Sequence, residues 1–141
     1  MASGNRADSR QHRPGSDPGY FAARNQSLHV TGCSQVTTAV DAEAAAEAMA
    51  GALVSERLVA CAQILGPVQS IYRWEGEVRR AHEWLIVAKT SDARLAELIA
   101  RIGALHGYEV PEIVALPITA GDPSYLGWIE RETTPLTPGT Q

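Results

Sequence analysis

Between Val59 and Thr90 the chain carries two extended apolar runs, VACAQIL continued by VQSIYRW, and then HEWLIVAKT, with Glu75-Gly76 between them. Runs rich in β-branched and aromatic residues on either side of a Glu-Gly pair read as a β-hairpin. Gly66-Pro67 puts a kink in its first strand. The arm from Leu58 to Trp74, about fifteen residues less the kink, is far longer than the usual strand of 5–6 residues. Its tip is therefore expected to project beyond the sheet that holds its base, offering unpaired backbone to another chain.

The period of the apolar residues switches on both sides of this hairpin. The run VTTAV precedes Asp41, which is placed to cap a helix through AEAAAEAMAGALVSERL with Ala45, Met49, Leu53 and Ala52 toward one face. Gly51 inside it costs about 1 kcal/mol against Ala unless it allows a close approach to the sheet. Ser91 is expected to start a second helix, in which Leu95, Leu98, Ile102 and Leu105 recur at helical spacing and Gly107 supplies a left-handed stop. Glu112 to Ile118 reads as a strand, and Asp122-Pro123 as an N-cap with proline in the first turn. That helix is expected to turn Leu126 and Ile129 to the core, with Tyr125 and Trp128 beside them. The order βαββαβα is the split βαβ, or ferredoxin-like, α+β plan: one antiparallel sheet with helices on one face. Leu65, Val68, Ile71, Trp74, Trp84, Ile86, Val114 and Leu116 give the strands apolar residues of both parities. The second face is expected to be covered by other copies of the chain.

Length and composition suit one soluble domain: 141 residues, 45% hydrophobic, 20% charged, net charge −4. Residues 1–27, rich in Gly, Pro, Ser, Asp and Arg without periodicity, are expected to form a disordered tail. The folded domain is expected over 28–133, with a flexible C-terminal tail at 134–141. Acidic residues outnumber basic ones, 16 to 12. With no basic run interleaved with aromatics, nucleic acid is not an expected partner. No apolar run approaches the roughly 20 residues that span a bilayer, so no membrane insertion is expected. Cys33 and Cys61 have neither disulfide-framework nor zinc-site spacing, and the reading is a reduced, cytoplasmic protein.

The segment HGYEVPEIVALP, residues 106–117, gathers titratable groups where a helix meets a strand. His106, Glu109 and Glu112 are donor types that copper or zinc accepts. A structural reading stands beside this: His106 belongs at a helix end, where free carbonyls need a donor, and Pro111 keeps Val110 extended for the coming strand. Cys61 sits among Val59, Ala60, Ala62 and Ile64 with no activating base and reads as packing. Tyr72, Trp74 and Trp84 suit an interface. Lys89 could pair with Glu112 or join a small anion site. No Ser/His/Asp order or glycine-rich phosphate loop is present, and the reading is non-enzymatic.

SERLVACAQI, SIYRWEGEV, WLIVAKT, HGYEVPEIVALPI and GDPSYLGWI, in this order, resemble the CutA divalent-cation tolerance family over Val36 to Arg131. The resemblance implies a ferredoxin-like subunit, a homotrimer, and a role in tolerance to copper and other divalent ions. It also implies metal ligands at His106 and Glu112, with a first-strand cysteine as third. Here Thr37 occupies that cysteine position, and a hydroxyl is a poor ligand for a soft ion. Cys33, about 13 Å away along an extended strand, does not replace it. The expected cofactor is thus a weakly held copper or other divalent ion, at a histidine-dominated site. Two alternatives share the same subunit plan. One is a PII-like trimeric module binding a small effector between subunits, against which stands the short EGEVRRA connection. The other is an enzyme using a cleft between subunits. Lys89, Tyr125 and Trp74, together with His106 and Glu112, are the candidate lining of such a cleft, against which stands the lack of a recognisable nucleophile and base.

Overall fold

The computed structural model describes residues 31–139. The tail expected over 1–27 lies outside them. In chain order the elements are β1 (Cys33–Val40), α1 (Glu43–Ser55), β2 (Cys61–Trp74), β3 (Glu77–Ser91), a 3-10 turn (Asp92–Arg94), α2 (Leu95–Leu105), β4 (Ile113–Pro117) and α3 (Pro123–Thr133).

The strands form one antiparallel sheet in the order β2-β3-β1-β4, the split βαβ arrangement. Glu75 and Gly76 both take positive φ, 49° and 78°, which lets a two-residue turn match the twist of the strands it joins. Val40 pairs with Trp84, where β1 ends. From Glu77 to Glu83, therefore, β3 pairs only with β2, and the hairpin projects as an arm. The pairing of β2 with β3 breaks between Leu65 and Val68, at the Gly66-Pro67 kink.

Side chains alternate across the sheet, and the two faces are covered differently. Val36, Val40, Ile86 and Ala88 meet Ala46, Met49, Ala50 and Leu53 of α1 and Leu98 and Ile102 of α2 in one core. Each fully buried aliphatic side chain of this kind contributes roughly 1.5–3 kcal/mol. The third helix departs from the expectation of helices on one face. Around α3, Leu126 O accepts from Cys33 Sγ at 3.8 Å, Tyr125 Oη contacts Cys61 Sγ at 3.6 Å, and Thr133 Oγ1 donates to Ser91 Oγ at 2.9 Å. Cys33, Cys61 and Ser91 share the opposite parity, so α3 covers one end of the second face. The rest of that face is open: Leu65, Val114 and Leu116 are 49%, 47% and 57% exposed.

The structure follows some local sequence signals and overrides others. Asp122 caps α3 as expected, accepting from Tyr125 N at 3.0 Å. Asp41 does not cap α1, because Ala42 holds that position with no side-chain cap bond. The buried face of α1 carries Met49 and Leu53 as expected, with Ala46 and Ala50 completing it in place of Ala45, which is exposed, and Ala52. Ser91 both ends β3 and stands at the N-cap of the 3-10 turn that runs into α2, though its side chain makes no cap bond. The glycines at 51 and 107 have other roles than expected. A Cβ on Gly51 would meet nothing within 4 Å, and α2 stops at Leu105 with His106 extended, without a left-handed residue at Gly107. Trp84 lies on the helix-covered face, packed against the core beside Gly66, so it does not belong to the open face.

Candidate functional site

His106 follows α2 and turns its ring back onto β1. Its Nε2 lies 2.8 Å from the carbonyl oxygen of Ala39, and Tyr108 N–H donates to Nδ1 at 3.1 Å. Those partners select the tautomer with hydrogen on Nε2, which donates to Ala39. The ring centroids of His106 and Tyr108 are 4.8 Å apart. Tyr108 Oη in turn donates to Glu83 Oε2 on β3 at 2.9 Å. Burial, and then this hydrogen bond to a carboxylate, push the Tyr108 phenol above its ordinary range. Through these three bonds the 106–112 segment is fastened to two strands before it becomes β4.

Fastened this way, the segment forms one wall of a groove of about 770 Å³. The arm is the other wall. Tyr72 and Trp74 of β2 lie on the same side as Arg79 and Glu83 of β3, by register, and look across at Glu109 and Glu112. Arg79 is itself held by Glu75 at 3.6 Å and Glu77 at 3.8 Å. The groove therefore joins aromatic surface to carboxylates, with its one guanidinium matched at the arm's tip. Tyr72 reads from the sequence as an interface residue, whereas Arg79, Glu83 and Tyr108 carry no site signal there. The strand alternation of the arm sorts its residues by face, but only the fold shows that the 107–112 segment lies opposite.

The remaining candidates lie elsewhere. Lys89 pairs with Gln35 and Cys61 near the far end of the sheet, and Tyr125 reaches Cys61 from α3. That contact, and then burial, raise the Tyr125 phenol. Trp74 is thirteen residues from Cys61 along β2, roughly 40 Å of extended strand. Within one subunit, then, Trp74 does not line a cleft with Lys89 and Tyr125. Thr37 is half-buried on the open face, between Val87 and Val114. Cys33 is fully buried, and burial, then Glu130 and Asp92, raise its thiol.

This donor set does not fit a dedicated copper centre. Both nitrogens of His106 are occupied, so a metal must displace either the Ala39 carbonyl or the Tyr108 amide. Glu112 is exposed, and Thr37 brings a hydroxyl where a thiolate would favour a soft ion. Among the described residues no three His, Cys, Asp or Glu side chains come together in a way that could hold an ion.

Residues 34–132 match the model of the CutA1 divalent ion tolerance proteins. The chain belongs to that family. The divalent-cation tolerance protein CutA of Thermus thermophilus is 47% identical over 98 residues, covering 70% of this chain and 95% of the relative. Protein CutA of Mus musculus is 34% identical over 133 residues, 94% of this chain and 70% of the relative. Among solved structures, the Thermus thermophilus Cut A1 superposes with a TM-score of 0.70 at 45% identity, covering 72% of this chain and 99% of that one. CutA1 from Oryza sativa gives 0.70 at 37% identity, over 72% and 94%. The family is one of divalent-cation tolerance and not a recognised family of enzymes. Among the described residues no helix of this CutA1-family chain is long and apolar enough to cross a membrane.

Proposed function

We propose that this chain serves tolerance to divalent cations as a non-catalytic homotrimer that binds metal weakly. The family match over 34–132 carries the reading. Trimer formation is supported by the open sheet face, where Leu65, Val114 and Leu116 remain about half exposed, and by the arm with its unpaired backbone. An apolar face of this kind is unusual on a monomer and suits burial between copies. Weak metal binding is supported by the family's divalent-ion character, taken with a histidine that must give up a hydrogen bond to act as ligand. His106 and Glu112 are the proposed ligands, copper or zinc the ions. The cytoplasm is the proposed compartment, in keeping with two free cysteines. Relatives named as chloroplastic and periplasmic make cell fractionation the check on it.

Two measurements test this. Sedimentation equilibrium is expected to give three times the chain mass, and Leu116→Asp to yield smaller species. A monomer that retains full circular dichroism at micromolar concentration would contradict the trimer. Calorimetry with copper(II) and zinc is expected to give dissociation constants no tighter than about micromolar, mostly lost in His106→Ala. Nanomolar binding that survives His106→Ala would place the metal elsewhere.

A further inference from the structure

We propose that α3 is a gate over the chain's two cysteines, clasped shut by Arg57. Both thiols touch consecutive residues near the start of this helix: Cys33 Sγ donates to the carbonyl of Leu126 at 3.8 Å, and Cys61 Sγ lies 3.6 Å from Tyr125 Oη. Sulfur makes weak hydrogen bonds, so this end of α3 is loosely held. The helix joins no strand, and among its eleven residues only Ile129 and Thr133 are fully buried. An element that buries so little opens at a lower free energy than the body it rests on. What keeps it in place is concentrated at its other end.

That attachment comes from α1, on the opposite face of the sheet. Past the end of α1, Arg57 N–H donates to Val54 O and Leu58 N–H to Leu53 O, each at 3.0 Å. A helix ending of this form favours glycine in the left-handed position. Arg57 occupies it instead, at φ 59°. A side chain that the backbone disfavours invites a functional explanation, and its contacts supply one. Nε donates to Thr134 O at 3.0 Å, Nη2 donates to Arg131 O at 2.7 Å, and Nη1 lies 3.7 Å from a Glu132 carboxylate oxygen. Carbonyls at a helix C-terminus lack partners within the helix and stand at the negative end of its dipole, so a guanidinium fork suits them. One residue thus ends α1 with its backbone and holds α3 with its side chain, a clasp around the end of the sheet. Cys33 beneath it is fully buried, where the reactive thiolate is disfavoured. Cys33 starts β1, whereas His106 meets Ala39 near the strand's other end, so the gate is independent of the metal reading and remote from the arm.

The test follows the reaction of Cys33 with a chromogenic aromatic disulfide, at fixed pH, in the full chain carrying Cys61→Ser so that one thiol remains. Cys33 is expected to react far more slowly than the same thiol in the unfolded chain. Below the unfolding transition its rate should be nearly independent of urea, the mark of an opening that exposes little surface. Arg57→Gly is expected to speed the reaction roughly tenfold or more, through loss of charge-assisted hydrogen bonds. Its urea midpoint should fall by too little to account for that gain, because glycine suits the left-handed position. Arg57→Lys, which keeps the charge without the fork, should react at an intermediate rate. Arg101→Ala, which breaks the nearby ion pair with Glu56, should leave the rate unchanged. The proposal is overturned if Cys33 reacts as fast as an unfolded-chain thiol, if neither Arg57 variant speeds the reaction, or if Arg101→Ala speeds it equally. A rate that climbs with urea at the slope of global unfolding, or a midpoint loss that matches the acceleration, overturns it too, since the thiol would then be reached only by unfolding. So does a rate that rises as the protein is diluted from micromolar to nanomolar, which would make a second copy the cover.

Discussion

Gly66 is the residue whose side chain, or lack of one, is most tightly dictated. A Cβ there would lie 2.3 Å from Cδ1 and 2.7 Å from Cγ of Trp84, distances no packed ring tolerates. Trp84 cannot retreat freely, since it packs against the core. Gly66→Ala is therefore expected to cost about 1–3 kcal/mol, the usual range for overpacking, read as a lower urea midpoint at unchanged slope. Adding Trp84→Leu should recover part of the loss. A Gly66→Ala protein as stable as wild type would show that the ring moves aside at little cost. The sequence marked Gly66-Pro67 as a kink but gave no sign that an indole fills the space, because that contact pairs residues eighteen apart across two strands. His106 teaches the same lesson at the candidate site. Its residue type was legible, but the bonds that occupy both its nitrogens involve Ala39, 67 positions away, and a backbone amide that no motif reveals.

Elements were more legible than their ends. The alternation in β2 and β3, the Glu75-Gly76 turn, the Asp122 cap and the apolar spacing of α2 each follow from local chemistry, and each is present. What failed was a competition between neighbours. Asp41 is a better cap residue than Ala42, yet α1 begins so that Ala46, Met49, Ala50 and Leu53 reach the core, and this places Ala42 at the cap. Tertiary burial outweighs the cap, which contributes about 0.5–2 kcal/mol. Two substitutions separate these terms. Ala42→Asp is expected to raise stability by about 0.5–2 kcal/mol by giving the first-turn amides an acceptor. Asp41→Ala should change it by less than about 0.5 kcal/mol, as an exposed site away from any cap. If Asp41→Ala is the more damaging, the helix starts a residue earlier in solution.

For the whole molecule, ionisation reports how tightly the ends of the sheet are closed. Cys33, Tyr108 and Tyr125 all have raised pKa values: burial leads for Cys33 and Tyr108, and the contact with Cys61 for Tyr125. A native group with a raised pKa holds its proton more tightly than the unfolded chain does. Its stability is complete below the unfolded values, about 8.5 for a thiol and about 10 for a phenol, and is lost as pH rises through the folded ones. The urea midpoint is accordingly expected to fall on going from about pH 8 to about pH 10.5, and the gap between wild type and Tyr108→Phe to narrow over the same span. A gap that stays constant would mean the phenol ionises equally in both states. The overall plan was visible in the order of apolar periods, but the position of α3 on the second face was not, because its own amphipathicity is the same whichever face it covers. That position has a practical consequence. Thr133 at the end of α3 bonds to Ser91, and Ser91 pairs with Cys33 at the start of β1, whereas the arm begins at Trp84 beyond the other end of that eight-residue strand. Both ends of the described chain thus leave the sheet remote from the hairpin. A label placed where β1 begins or just after α3 ends would therefore sit at the opposite end of the sheet from the arm, clear of the surface proposed to meet other copies.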